Sequence, residues 1–331
     1  MRYLTQLSRA IVAALVLAVA LSASITASAQ TVVYDAVNDF STEISTGVWS
    51  YGMTTTRGSQ FSNYTHPYLD FYHPPLARGL TMWNMQGFPV ESAAYVVHNG
   101  TGAGVQYYQT VAHSVGILNL HPGAAGENSV VRWTAPAAGM YQIKGRFVSI
   151  DRGVPIQGPS ADVAVLHNSG INIFSSELDH YGDQRVFTLY VNVAVGDTID
   201  FSVGYGTSAH WDNIFDSTGL SATIKPFEIN GRLTDDFGNG VAGREIRLEF
   251  GTQWISTMTD SDGRYSFNGP MVGTSYIVRA VITDCERRRF RFTPETYSFP
   301  SLNEPQTANF GMTTIKCPPR TICREEPPCP L

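Results

Sequence analysis

The chain has 331 residues, with 22 basic and 28 acidic side chains and a formal charge of −6. That acidic balance argues against nucleic acid and against anionic membrane surfaces as partners. Charged residues are only 15% of the chain, below the usual quarter. Gly, Ser, Thr and aromatics take their place, a composition suited to exposed sheets with many turns.

Arg2 and Arg9 make a positive n-region, an apolar run follows from Ala10 to Leu21, and Ala27-Ser28-Ala29 precedes Gln30. This pattern predicts a cleaved signal peptide over 1–29 and hence a secreted, extracellular or periplasmic protein. The competing reading is a retained N-terminal anchor, but the run is shorter than the roughly 18–20 apolar residues a spanning helix needs. No later stretch is long and apolar enough to span, so no membrane insertion is expected after cleavage. Without Arg2 and Arg9 the balance is 20 basic to 28 acidic, or −8. The remaining length, about 300 residues, suits two domains better than one sandwich core.

No convincing amphipathic helix follows Gln30. Short runs with period-two alternation recur instead, each closed by Gly, Pro, Asn or Asp. Val130–Thr134 alternates, Ala135-Pro136-Ala137-Ala138-Gly139 turns the chain, and Met140–Ile150 alternates again. Further strands are predicted at Ala161–Leu166, Ile171–Ser175, Arg185–Val193, Thr198–Gly204 and Leu220–Ile224. Strands at this spacing indicate a sandwich or jelly roll. The segment Ser59–Pro89 breaks the rhythm, being dense in aromatics and prolines, and reads as a long loop of the functional kind.

Around Lys225-Pro226 the style changes. Ile229–Asp235 and Arg244–Phe250 alternate on either side of a Gly-rich turn. Thr257–Asp260, the turn Ser261-Asp262-Gly263 and Arg264–Phe267 read as a hairpin, because Asp-Gly between alternating runs is a strong hairpin signal. Tyr276–Val281, Arg289–Phe292 and Thr307–Met312 complete the set. The fold class expected is all-β, with a jelly-roll-like sandwich at 30–225, a smaller sandwich at 226–314 and a Pro- and Cys-rich tail at 315–331.

Two resemblances sharpen this expectation. Asn230–Asp235, Gly238–Gly243, Thr259–Phe267 and Gly273–Tyr276 together resemble the carboxypeptidase regulatory-like family, a transthyretin-like sandwich related to Cna-B repeats and starch-binding-like domains. That resemblance covers about a quarter of the chain and implies a non-catalytic accessory sandwich, at a domain-sized length. More loosely, Gly47–Gly52, Leu120–Gly123, Arg132–Tyr141 and Gly196–Phe201 resemble the jelly rolls of exported bacterial proteins related to carbohydrate-binding modules. It implies architecture first, with sugar binding as analogy.

Sugar recognition on β-sandwiches uses flat aromatic faces with polar groups beside them. The candidates are Tyr64, Tyr68, Tyr72 and Trp83 in the long loop, with Trp254 a separate possibility. Trp49 and Trp133 lie in strand patterns and are expected in the core. Asp35 and Asp39 near the first strand, and Asp212, Asn213 and Asp216 before the last strand of the same domain, form a candidate calcium set, since those strands are often neighbours. The alternative is that these side chains cap their own turns. No other cofactor is indicated. His66, Asp70 and His73 form a weak transition-metal candidate between prolines.

Cys285, Cys317, Cys323 and Cys329 are disulfide candidates in an exported chain, and four cysteines allow three pairings. Asn63-Tyr64-Thr65 and Asn99-Gly100-Thr101 fit the glycosylation sequon. There is no G-x-S-x-G, H-E-x-x-H or Walker A pattern. The function expected is non-catalytic binding of a polysaccharide or cell-surface glycan. The alternative is a structural or adhesive protein that binds a surface protein, and the remote one a glycan hydrolase whose carboxylate pair a sequence does not reveal.

Overall fold

The computed structural model describes residues 32–43, 47–69, 79–85, 93–107, 110–155, 157–206 and 212–315. Short, mostly antiparallel strands build two pairs of facing sheets, the exceptions being the parallel pairings of Glu228–Thr234 with Gln306–Thr307 and Phe310–Thr314. In the first pair, an eight-stranded sheet runs in space Gln184–Val193, Gly139–Ser149, Thr218–Pro226, Leu118–His121, Tyr95–Asn99, Leu80–Asn84, His66–Leu69. The eighth strand, Tyr34–Asp35, pairs with Thr218–Pro226. Opposite lies a six-stranded sheet in the order Ile171–Leu178, Ala161–His167, Thr198–Tyr205, Asn128–Thr134, Trp49–Thr54, Ser62–Asn63.

Alternation sends one face of each sheet into a shared core. Val131, Trp133, Ile199, Phe201 and Val163 come from one sheet, and Ile143, Phe147, Leu120, Leu220 and Ile224 from the other. Trp49 and Trp133 are both buried there, as their strand patterns predict. Trp133 meets Tyr141 edge-on at 4.9 Å, a geometry that suits the ring quadrupoles.

The second pair begins immediately after Pro226. A five-stranded sheet is ordered Arg264–Asn268, Glu228–Thr234, Phe310–Thr314, Phe290–Thr293, with Gln306–Thr307 alongside Glu228–Thr234. The facing four-stranded sheet runs Gln253–Met258, Glu245–Phe250, Tyr276–Ala280, Tyr297–Phe299. Its core joins Ile229, Leu233, Phe267 and Phe310 to Ile246, Leu248 and Val278. Gly231 permits the close crossing of the chain here: a Cβ on it would stand 1.9 Å from the Ala308 carbonyl oxygen. Met140 and Tyr190 of the first pair pack against this second core, and Tyr190 meets Phe227 edge-on at 5.2 Å.

Two expectations need correction. The Asp-Gly turn does not join a hairpin: Gln253–Met258 pairs with Glu245–Phe250, whereas Arg264–Asn268 pairs with Glu228–Thr234 in the opposite sheet. The turn itself forms, with Gly263 at φ 75° and the Asp260 carboxylate accepting from the Asp262 and Arg264 backbone N–H groups. It carries the chain between sheets. The true hairpin of this region is Glu245–Phe250 with Gln253–Met258, turned by Gly251 (φ 59°) and Thr252, with glycine where a two-residue turn requires positive φ.

Much of the described part of the long loop is strand. Ser62–Asn63, His66–Leu69 and Leu80–Asn84 all fall inside Ser59–Pro89. Every residue of Leu80–Asn84 is buried, because Trp83 points into the main core while Leu80 and Met82 meet Tyr68, Tyr95, Val97 and Val105 on the other face.

Candidate functional site

Burial decides the aromatic candidates first. Tyr64 and Trp83 are each 2% exposed, so both are core residues and neither offers a ring face to a ligand. The Tyr64 hydroxyl lies 3.4 Å from Ser129 Oγ, and Trp83 Nε1 donates to the Ser41 carbonyl at 2.9 Å. Residues Glu43, Asn63, Tyr64 and Trp83 line a dent of about 20 Å³, room for one water rather than a sugar. Tyr68 is half-buried against the Leu80–Met82 cluster. Tyr72, Asp70 and His73 lie outside the described residues.

The four aspartates do not converge. Tyr34–Asp35 does neighbour Thr218–Pro226, as expected, but Asp35 pairs with Thr223 while Asp216 precedes Thr218. The five steps from Thr223 to Thr218 alone span about 16 Å at ~3.3 Å each, and Asp216 lies beyond the strand's start. Asp35, Asp39 and Asp212 serve their own turns, while Asp216, like Asp212 in part, bonds a segment distant in sequence. Asp35 accepts from the Val37 and Asn38 backbone, Asp39 from the Asp35 N–H, and Asp212 from Ile214 N–H and Gln157 Nε2. Asp216 is buried and accepts from Ser160 N–H at 2.7 Å. No group of three or more metal-ligating side chains occurs among the described residues.

Of the sequons, Asn63 is exposed on an edge strand, whereas Asn99 is buried and donates to the Ala103 and His113 carbonyls at 2.7 Å. Cys285 is not free, and Cys317, Cys323 and Cys329 lie outside the described residues.

A site of ligand size lies elsewhere, on the four-stranded sheet. Alternation turns Ile246 and Leu248 into the core and Glu245, Arg247 and Glu249 outward. The antiparallel register then sets Trp254 beside Glu249, Ser256 beside Arg247 and Met258 beside Glu245 on one edge, and Arg279 beside Arg247 on the other. The segment 281–296 rises next to this face. Between them is a groove of about 420 Å³ lined by Arg247, Glu249, Arg279, Arg287, Arg291 and Glu295, with Phe290 among its apolar members. That volume lies within the usual range of about 300–1,000 Å³ for small-molecule sites.

The lining is held in place by its own charges. Arg279 and Glu249 form a two-point pair at 2.8 and 3.0 Å. Arg247 is paired with Glu245 at 2.8 Å, and its guanidinium lies 4.2 Å over the Trp254 ring. Trp254 is nonetheless 52% exposed, so the cation backs the ring without covering it. Arg291 is exposed and has no ion-pair partner among the described residues. Bidentate donors fixed beside a flat, backed aromatic are suited to reading hydroxyl or acidic oxygens with a stacked apolar face. The sequence shows Trp254 and the Arg287–Arg291 run separately. The sheet register and Arg247 connect them: Arg247 lines the groove beside Arg287 and Arg291 and also lies over the Trp254 ring.

No family model matches the chain, and no curated protein matches it. Among solved structures, it is similar to CBM51 from Clostridium perfringens GH95 in complex with methyl-galactose, at 11% identity and a TM-score of 0.26, over 50% of this chain and 94% of that one. It is similar to CBM35 from Cellvibrio japonicus Abf62 at 11% identity and a TM-score of 0.23, over 40% and 91%. It also aligns with Arthrobacter globiformis T6 isomalto-dextranase complexed with panose at 16% identity and a TM-score of 0.23, covering 46% of this chain but only 24% of that enzyme. Likeness at these scores carries no weight for the site. Among the described residues no helix is long and apolar enough to cross a membrane.

Proposed function

We propose that this is an exported, non-catalytic carbohydrate-binding protein whose contact surface is the outer face of the four-stranded sheet. The observation that carries the reading is the half-exposed Trp254 ring, backed by Arg247, a residue that itself lines the neighbouring groove of arginines and glutamates. A pyranose stacked on that ring would place its hydroxyls against Arg247, Glu249 and Arg279. Glu249 is engaged at both oxygens by Arg279, which fixes the orientation of both side chains beside the ring. In this reading the cysteines form disulfides that tie the tail to the second sandwich.

Polysaccharide pull-down and a glycan array test the proposal on the chain from Gln30 onward. Retention on at least one glycan is expected, lost in Trp254→Ala and kept in Tyr68→Ala. Retention that survives Trp254→Ala discards the site, and the absence of retention on every glycan discards the function.

A further inference from the structure

Gln253–Met258 is an edge strand, paired only with Glu245–Phe250 among the described residues. Along such an edge every second residue turns its N–H and C=O outward, and folds protect the row with charge, proline, bulges or brevity. The other three edges of this sandwich use those devices. Arg264–Asn268 carries Arg264, Phe290–Thr293 carries Arg291, and Tyr297–Phe299 is three residues long. Gln253–Met258 uses none of them. It has six residues with no charge and no proline, its register is unbroken, and Trp254, Ile255 and Met258 are 52%, 46% and 57% exposed.

We propose that this edge pairs with the same strand of a second copy of the chain, antiparallel about a two-fold axis through Ser256. The occupant follows from self-complementarity. A two-fold perpendicular to the sheet keeps each residue on its own face, so Trp254 must meet an outward-facing residue of the copy. With Ser256 on the axis, Trp254 stands beside the copy's Met258 and Ile255 beside its Thr257, while the two Ser256 hydroxyls face each other. Sulfur at an aromatic edge and paired hydroxyls are favourable cross-strand contacts. Charge does not oppose it, since the one residue that meets its own copy is the uncharged Ser256 and no other residue of the strand carries a charge. Such pairing joins two four-stranded sheets into one and leaves both Trp254 rings open on the same side, so it does not depend on the carbohydrate reading.

A strand pair of this length buries less than the roughly 1,200–2,000 Å² of a standard interface, so a dimer of about micromolar dissociation constant is expected. Sedimentation equilibrium of the purified chain measures it. Ser256→Lys and Ser256→Glu should each weaken association by about tenfold or more through like charges on the axis, and their equimolar mixture should return to within about threefold of the parent. Far-UV circular dichroism below the dissociation constant should be the same for all three. A chain that is monomeric at every concentration overturns the proposal, as do single variants that associate like the parent or a mixture no tighter than either variant alone.

Discussion

Arg132 and Asp200 are direct cross-strand partners, and their side chains close a two-point ion pair at 2.6 and 2.7 Å on the outward side of the six-stranded sheet. Asp200 is 1% exposed. Ser169, held at φ 59°, bonds to both groups, and the Phe61 ring lies 4.0 Å under the guanidinium. A buried pair is costly to break because the survivor keeps its charge without compensation. Arg132→Met should therefore cost about 3–5 kcal/mol in urea unfolding, and Arg132→Met with Asp200→Leu distinctly less. Equal losses in the single and double variants would contradict a net desolvated pair.

Asp216 predicts an alkaline weakness. Burial drives its carboxyl up from 3.8 to about 7, with the Asp212 and Asp151 charges adding and the Ser160 bonds opposing. The folded chain then binds a proton that the unfolded chain releases near pH 4. Its stabilisation is full below about pH 4 and is lost as pH rises through about 7, by up to about 4 kcal/mol at 1.36 kcal/mol per unit. Asp216→Asn should flatten this limb in thermal melts between pH 5 and 8. The same slope in both proteins would show that Asp216 is not its source.

His121 and His113 predict the opposite limb. Burial holds both rings near a value of about 4. His121 stacks on Tyr95 at 4.9 Å and bonds the Pro122 carbonyl at 2.8 Å. Here the unfolded chain takes up the protons first. The stabilisation is present above about pH 6.5 and disappears as pH falls towards 4. His121→Phe keeps a ring on Tyr95, and Asn213 still donates to the Pro122 carbonyl. That variant should lose part of its acid sensitivity between pH 6.5 and 4. An unaltered acid limb would place the cause elsewhere.

These elements also show what a linear reading reaches. Strands with one face in the core and the other more exposed along much of its length, such as Gln184–Val193, alternate visibly, so period two finds them. Leu80–Asn84 and Leu118–His121 are buried on both faces, so their alternation vanishes and the first of them reads as loop. That is why Trp83 looks like a loop aromatic and is core, while Tyr64 reaches the core from the link between two short strands. Turn chemistry is likewise local. Asp260–Gly263 specifies a reversal of the chain but not the sheet its next strand will join. The groove requires two strands in register and the segment 281–296, with Trp254 joined to it through Arg247, a relation that spacing along the chain does not contain.

Arg247 is the residue through which the groove and the ring are coupled. Its guanidinium is shared between Glu245 and the Trp254 face, a cation–π contact worth about 0.5–1 kcal/mol at an exposed site. Arg247→Met preserves most of the stem that packs on the sheet and removes the charge. Stability should fall by no more than about 1 kcal/mol. Glycan affinity, measured by titration calorimetry on a retained polysaccharide, should fall by about fivefold or more, because both the backing of the ring and one hydroxyl donor are gone. Glu245→Gln leaves the guanidinium over the ring and should change affinity by less than about threefold. If both variants bind like the parent while Trp254→Ala does not, the ring acts alone and the arginine is only its structural neighbour.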